Sequence, residues 1–359
     1  MKKIDIYIIK KFLGTFVYAI TMLAVIIIIF DISEKIDEFV ENNAPLNAII
    51  FNYYLNFLPY FINLFSALFT FITVIFFTSK MAFNTEIIAI LSSGISFRRM
   101  LRPFLISSSF IGLVSFVLGN FVIPETNEIM MDFQWTYLKT GGKEVNNRNI
   151  HMQIAPGTHA YVETYNASRN LGRRFTLEKF EDGELVSKLK ADYAQWDSAS
   201  GSWTLNNWTK RTVDGKNEVI TKGNKTDTTI ALTPEDFVIN LDDLKTMNWA
   251  ELRNFIEKEK LKGSSNVLEY EIEKHSRIAF PFANIILTLI GVAISSRKVR
   301  GGIGVHLGIG LTLTFSYILF MQISTVFSAN GNLEPIVAVW IPNFIYGLIS
   351  FILIKNAPK

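Results

Sequence analysis

Among the side chains able to do chemistry, histidine offers four candidates, His151, His159, His275 and His306. A metal site needs ligands at a recognisable spacing, and these four show none. His151 and His159 flank the turn dipeptide Pro156-Gly157, where a role in a sheet or at a surface is the simpler reading. His306 lies just inside an apolar stretch, close to basic residues at its edge. An ionisable residue at membrane depth is a candidate proton relay, with anchoring at the interface as the plainer alternative. Cysteine is absent, which removes disulfides, thiolate metal sites and a cysteine nucleophile, and suits an oxidising compartment without proving one. No GxxxxGKS/T, HExxH or GxSxG occurs, so the P-loop, zinc-hydrolase and hydrolase-elbow chemistries have no carrier here. Asn166-Ala-Ser, Asn207-Trp-Thr and Asn224-Lys-Thr match the glycosylation acceptor pattern, which carries meaning only in a eukaryotic secretory protein. The chain is therefore expected to be no enzyme, with no catalytic residue, no metal and no cofactor of its own.

One polar stretch is better equipped. Asn84 to Pro103 (NTEIIAILSSGISFRRMLRP) separates two uncharged apolar runs, Ile49 to Ser79 and Phe104 to Ile123. Asn84 or Thr85 is placed to cap a helix, and Glu86 to meet the positive end of its dipole. Ile87, Ile88, Ile90 and Leu91 offer an apolar face, Gly94 a stop, and Ser96 a restart toward Arg98. Two readings fit, a helix lying in the membrane interface and a helix that grips a partner.

The elements that position this stretch follow from the distribution of apolar residues. The chain has 359 residues, 49% hydrophobic, with 30 Phe, and a formal charge of +3, too small and dispersed to imply nucleic acid. Roughly 20 apolar residues cross a bilayer as a helix. Six blocks qualify: Phe12 to Phe30, a segment within Ile49 to Ser79, Pro103 to Ile123, Ile278 to Ser296, Ile303 to Ile323 and Pro335 to Ile354. The first has a basic flank but no small-residue cleavage site, so it reads as a retained anchor rather than a signal peptide. Lys2, Lys3, Lys10 and Lys11 precede the first block. Lys80, Arg98, Arg99 and Arg102 lie between the second and third, Arg297, Lys298 and Arg300 between the fourth and fifth, and Lys355 and Lys359 after the sixth. The alternate short loops are acidic, with Asp31, Glu34, Asp37, Glu38 and Glu41 against Lys35 in one and Glu334 alone in the other. The positive-inside rule then puts both termini in the cytoplasm and Pro124 to Arg277 outside. The spans carry Asn56, Asn63, Asn284, Gln322 and Asn343 but almost no charge, which argues against a polar-solute pathway and for helix cross-linking, with an apolar cargo or none.

The outer insert alternates polar and apolar residues from Asn149 to about Leu232, the period of half-buried strands. Asp182-Gly183 and Asp214-Gly215 are hairpin dipeptides and Ser200-Gly201 marks another break, so an antiparallel β-sandwich or open jelly roll is expected. Asn248 to Lys260 places Trp249, Leu252, Phe255 and Ile256 at helical spacing, Gly263-Ser264-Ser265 breaks that helix, and Val267 to Arg277 leads into the fourth span. The expected divisions are 1–123 for three spans with the short helix at about 84–94, 124–247 for the β insert, 248–277 for a helical connector and 278–359 for three more spans.

Asn84, Glu86, Ile87, Ile90, Ser92, Gly94, Ile95 and Ser96, following the second of six spans, resemble the coupling helix of the lipopolysaccharide-export permease family, the LptF/LptG type. Glu273-Lys274-His275-Ser276-Arg277-Ile278-Ala279-Phe280-Pro281 resembles that family's approach to its fourth span. The three-plus-three layout with a β-rich outer insert is similar as well, and the resemblance leans to the G type. It implies an inner-membrane permease subunit of an ATP-driven exporter, paired with a paralogous permease as a heterodimer. A dimeric cytoplasmic ABC ATPase, which binds ATP and Mg, would dock on Asn84, Glu86, Ile87, Ile90, Leu91, Gly94 and Arg98. The cargo would be lipopolysaccharide, handed to a periplasmic β-jelly-roll bridge and a membrane-anchored bridge protein. Phe30, Lys35, Tyr60, Phe61, Phe65 and Phe315 are the candidates to line the lipid cavity between the first and fifth spans. The basic rim of G-type members is thin here. Asp31, Glu34 and Lys35 stand at the first-span rim, Tyr60 near an expected basic position, and Met131 and Gln134 where the family has Arg. A permease for another lipid or lipoprotein, and a membrane-anchored scaffold with an outer β domain, are the alternatives the residues leave open.

Overall fold

The computed structural model describes residues 3–138, 147–198, 200–215, 217–237, 241–264, 266–297 and 302–357. Lys2, Ser265, Lys298, Arg300 and Lys359, used above, lie outside the described residues. The chain divides into two compact units, one of residues 1–138, 246–249 and 268–359, the other of residues 139–245 and 250–267.

Among the described residues, six helices are long and apolar enough to cross a membrane. In chain order with the shorter helices, they are α1 (Lys3–Glu41), α2 (Leu46–Phe83), α4 (Phe97–Tyr137), α6 (Val267–Ser295), α7 (Gly302–Ala329) and α8 (Pro335–Lys355), while α3 (Glu86–Ser92) joins α2 to α4 and α5 (Trp249–Lys262) precedes α6. The first three run far past the apolar blocks that announce them. At 1.5 Å per residue, 39, 38 and 41 residues give helices of about 58, 57 and 62 Å, against a hydrocarbon core of about 30 Å. Charge does not end α1, because Glu34, Asp37 and Glu38 point to solvent while Phe39 turns inward. Pro124 does not end α4 either. A π-helical stretch, Leu118–Val122, immediately precedes it, and such a widened turn lets a helix pass a residue that has no N–H to give. A second π stretch, Ile49–Tyr54, opens α2; Asn56 Nδ2 donates to the carbonyls of Phe51 and Asn52 there, at 2.8 and 3.0 Å.

The spans are joined by small residues and by single polar links, as apolar helices in lipid must be. Thr70 on α2 donates to Asn284 of α6 at 2.9 Å, and Ser115 of α4 to Asn63 of α2 at 2.6 Å. Tyr317 of α7 donates to Asn343 of α8 at 2.9 Å, and Asn343 in turn to the Ala279 carbonyl of α6 at 3.0 Å. Gly291 of α6 and Gly310 of α7 both press on the Phe71–Ile75 surface of α2, where a β-carbon on either would overlap side chains. His306 belongs to the same scheme. It is 4% exposed and its Nδ1 lies 2.7 Å from Ser79 Oγ of α2, so it ties α7 to α2 instead of anchoring at an interface.

The other unit is built on β1 (Asn147–Ala155), β2 (Thr158–Asn166), β3 (Leu171–Glu181), β4 (Glu184–Asp197), β5 (Ser202–Asp214) and β6 (Asn217–Thr228), one antiparallel sheet with every neighbour consecutive in sequence. Its register keeps the two faces apart. Across one run His159, Glu178, Lys188, Arg211 and Ile220, and across the next His151, Tyr161, Thr176, Lys190 and Thr209. The opposite face buries Met152, Ala160, Val162, Phe175, Ala191 and Leu205, which is the period-2 pattern of a half-covered sheet. Trp203 closes this core; its Nε1 donates to the Leu232 carbonyl at 2.8 Å and its ring meets Phe237 edge-on. Asp182 and Gly183 turn the β3–β4 hairpin with φ of +50° and +84°, the geometry that an Asp-Gly pair supplies. His151 packs on Tyr161 and His159 on Phe180, which gives both a sheet role. In α5, Leu252 and Ile256 are buried as their spacing requires, and Glu259 with them; Lys262 answers it at 2.8 Å and also holds Asp236 at 2.6 Å.

Candidate functional site

The corner around α3 is assembled from three chain segments. Ile87, 2% exposed, is packed in one apolar cluster with Ile8 and Phe12 of α1, Phe77 and Met81 of α2, Phe97, Met100 and Leu101 of α4, and Ala357 beyond α8. Ile90 and Leu91 lean on the same cluster, while Ile88 is 54% exposed. The apolar face expected over 87–91 is thus split, three residues anchoring the helix and Ile88 standing outward beside exposed Phe83. Because Ile8 and Ala357 share that cluster, both chain ends lie at the α3 end of the helices.

The start of α3 differs from the capping expected of it. Thr85 occupies the cap position at φ +61°, a left-handed conformation that a β-branched residue resists, and makes no side-chain cap bond. Its hydroxyl donates to the Asn84 carbonyl at 2.6 Å instead. Glu86 is held from two sides, by Asn84 Nδ2 at 3.4 Å and by the Tyr7 hydroxyl at 3.2 Å. At the far end Gly94 turns the chain at φ +83°, and Ser96 caps α4 by accepting from the Arg99 N–H at 3.3 Å. Arg98 is exposed. Arg99, which the charge count groups with it, reaches back to α1 and donates from both Nη atoms to the two oxygens of buried Asp5, at 2.8 and 2.7 Å. Asn84, Glu86, Ile87, Ile90, Leu91, Gly94 and Arg98 therefore meet at one corner, and Asp5, Tyr7 and Arg99 complete it. A lone acid among the basic residues of the first eleven was the available signal for Asp5.

Toward the other end of the helices, Lys35 sits in an aromatic nest. Its Nζ donates to Asp31 at 2.6 Å and to the Tyr53 hydroxyl, and lies 5.0 Å from the Tyr53 ring centroid. Tyr54 donates to the second oxygen of Asp31 at 3.0 Å. Phe39, Tyr53, Tyr54, Phe57 and Phe133 pack around them, and aromatic faces attract a cation so placed. Phe57, Phe61 and Phe65 continue as a ladder along α2, with centroids 4.2 and 6.5 Å apart and Tyr60 beside Phe61. Phe30 on α1 and Phe315 on α7 are 73% and 55% exposed and stand apart from that ladder. The structure gathers Lys35, Phe61 and Phe65 along one wall and leaves Phe30 and Phe315 on open helix faces.

Among the described residues, six apolar helices, a short amphipathic helix between the second and third, and an antiparallel sheet inserted between the third and fourth give the layout of a multi-pass membrane protein with one inserted domain. The family model described as lipopolysaccharide export system permease LptF/LptG matches residues 6–356, nearly the whole chain, and the chain belongs to that family. No curated protein in the comparison matches it. Membership makes it a lipopolysaccharide export permease, a transporter subunit of the inner membrane.

Proposed function

We propose that this chain turns ATP hydrolysis by a separate, dimeric ABC ATPase into extraction of lipopolysaccharide from the inner membrane. The partner ATPase docks on α3 from the cytoplasm, with Glu86, Ile88 and Arg98 toward it. Closure of that ATPase pushes α3, tilts the spans and collapses an apolar cavity formed with a paralogous permease, and the lipid passes to a periplasmic β-jelly-roll bridge. Both termini then lie in the cytoplasm and the sheet in the periplasm, in line with the basic loops at the α3 end. The observation that carries the reading is the divided face of α3. A helix of seven residues, pinned through Ile87 yet presenting Ile88 outward, is built to pass force between a partner and the spans.

Glu86→Lys is expected to leave the protein folded and to stop lipid release while the ATPase still hydrolyses ATP. Unchanged release from reconstituted vesicles would remove α3 from the coupling. Ala89→Pro, which removes the N–H that donates to the Thr85 carbonyl at 3.0 Å and so breaks the helix, should abolish co-purification of the ATPase; a membrane-anchored scaffold would tolerate that change.

A further inference from the structure

We propose that Asp5 and Tyr7 are positioning residues that fasten the start of α1 to α3 and to the start of α4, so that these parts move as one body during transport. The inference rests on the coupling role of α3 proposed above.

Three observations carry it. First, α3 cannot hold its own place. It is only seven residues long, it begins at a left-handed Thr85, and it lacks a side-chain cap, whereas an isolated helix of that length is unstable in water. Second, two polar clasps reach this corner from α1. Tyr7 reaches Glu86, the first residue of α3, and Asp5 receives a two-pronged bond from Arg99 in the first turn of α4. Fork-to-fork pairing of a guanidinium and a carboxylate fixes orientation as well as distance, so α4 cannot swing at this point without carrying Asp5 along. Third, Ile8 and Phe12, one and two turns further along α1, are fully buried against Ile87, Phe97 and Phe104 or their neighbours. Asp5, Ile8 and Phe12 therefore fall on one face of the helix, at i, i+3 and i+7, while Tyr7, two residues on from Asp5, reaches Glu86 from a different face. A push on α3 has no slack to take up before it reaches α1.

The test uses the full chain in lipid nanodiscs. Because the protein has no cysteine, Ala89→Cys on α3 and Lys10→Cys on α1, both exposed, give a clean pair for spin labels and pulsed distance measurement. The parent should show one narrow distance, and the Asp5→Asn/Tyr7→Phe variant a broadened distribution. Asp5→Arg with Arg99→Asp should narrow it again, which a merely misfolded chain would not do. An unchanged distribution in Asp5→Asn/Tyr7→Phe would overturn the fastening. With the ATPase and second permease added, the same variant should keep the ATPase bound and hydrolysing but release several-fold less lipid per ATP; unchanged release would overturn the transmission. Should the ATPase fail to bind the parent chain at all, the coupling reading falls, and the label distances still decide whether α1 and α3 are fastened.

Discussion

The contact between α7 and α2 provides a quantitative check on how the spans are packed. A β-carbon on Gly310 would stand 2.1 Å from Ile75 Cδ1 and 3.2 Å from Phe71 Cε1. Ile75 is 1% exposed, so its Cδ1 has to give way inside the packed joint between the two helices. Gly310→Ala should therefore overpack the joint and destabilise the protein by about 1–3 kcal/mol. Ile75→Val removes the one atom in the way and by itself leaves a small void, costing about 0.5–1.5 kcal/mol. Together, one methyl is added where another is taken away. The double variant should then be less destabilised than the sum of the singles, by about 1–2 kcal/mol of coupling. The residual approach to Phe71 needs only a few tenths of an ångström of relief. Unfolding free energies from denaturant titration in mixed micelles, measured for the parent and all three variants, give the coupling directly. Additive losses would mean that α7 does not rest on α2 through Gly310, and that the close approach of these two spans is misassigned.

Other expectations are as specific. Trp203→Phe keeps most of the ring but leaves the Leu232 carbonyl without its donor, so thermal unfolding of the sheet unit should show a loss of about 1–3 kcal/mol. In that same unit burial pushes the Tyr165 phenol up to about 12, and Lys262, although burial opposes its charge, is raised above its ordinary value by hydrogen bonds to Asp236 and Glu259. Both groups hold their protons more tightly when folded, so their contribution is complete below the ordinary value near 10 and is lost as pH rises through the folded ones. Melting temperature should accordingly fall above about pH 10, and a flat profile there would refute it; Lys262→Met should lower stability already at neutral pH by stranding buried Glu259. Asp31→Asn should release Lys35 and strengthen photocrosslinking of lipopolysaccharide from neighbouring positions. Equal capture would mean that Asp31 does not restrain that ammonium.

The six spans, the β insert and the helix between the second and third spans were legible because each rests on a local signal, a charge-free block, a period-2 alternation, or a Glu-to-Gly frame around four apolar residues. The helix ends were not. Glu34 to Glu41 and Pro124 look like terminators by composition, yet α1 and α4 continue through them, since an exposed charge costs nothing on a helix already in water and a π turn absorbs a proline. The cap at Thr85 failed for a different reason. A short helix pinned between two spans takes the backbone angle its neighbours impose, and intrinsic capping preference is worth too little to resist. Lys35 shows the limit most plainly. Its position was readable as a basic rim residue, but its partner Tyr53 lies 18 residues away on another helix, and only the fold shows that Asp31 already occupies its charge.

These two corners have one element in common. Asp5 and Tyr7 stand at the start of α1, and Asp31 and Lys35 stand in its last third, about 39 Å further along an unbroken helix at 1.5 Å per residue. Between them α1 turns Val17, Tyr18, Met22, Val25, Ile26 and Ile29 outward and buries Ile20 and Ala24, while Phe39 near its far end is again buried. A continuous helix clasped at its two ends passes a tilt along its whole length. Displacement at the α3 end is carried to the Asp31–Lys35–Tyr53 nest without being absorbed by side-chain repacking on the way, since a continuous helix has no joint in which to store it. The aromatic nest at that end is held by hydrogen bonds and ring contacts between α1 and α2, which re-form in a new register more readily than a close-packed aliphatic core. Under the coupling proposed above, α1, and not the α6 that Thr70 and Asn343 lock from two sides, is the span expected to tilt with α3.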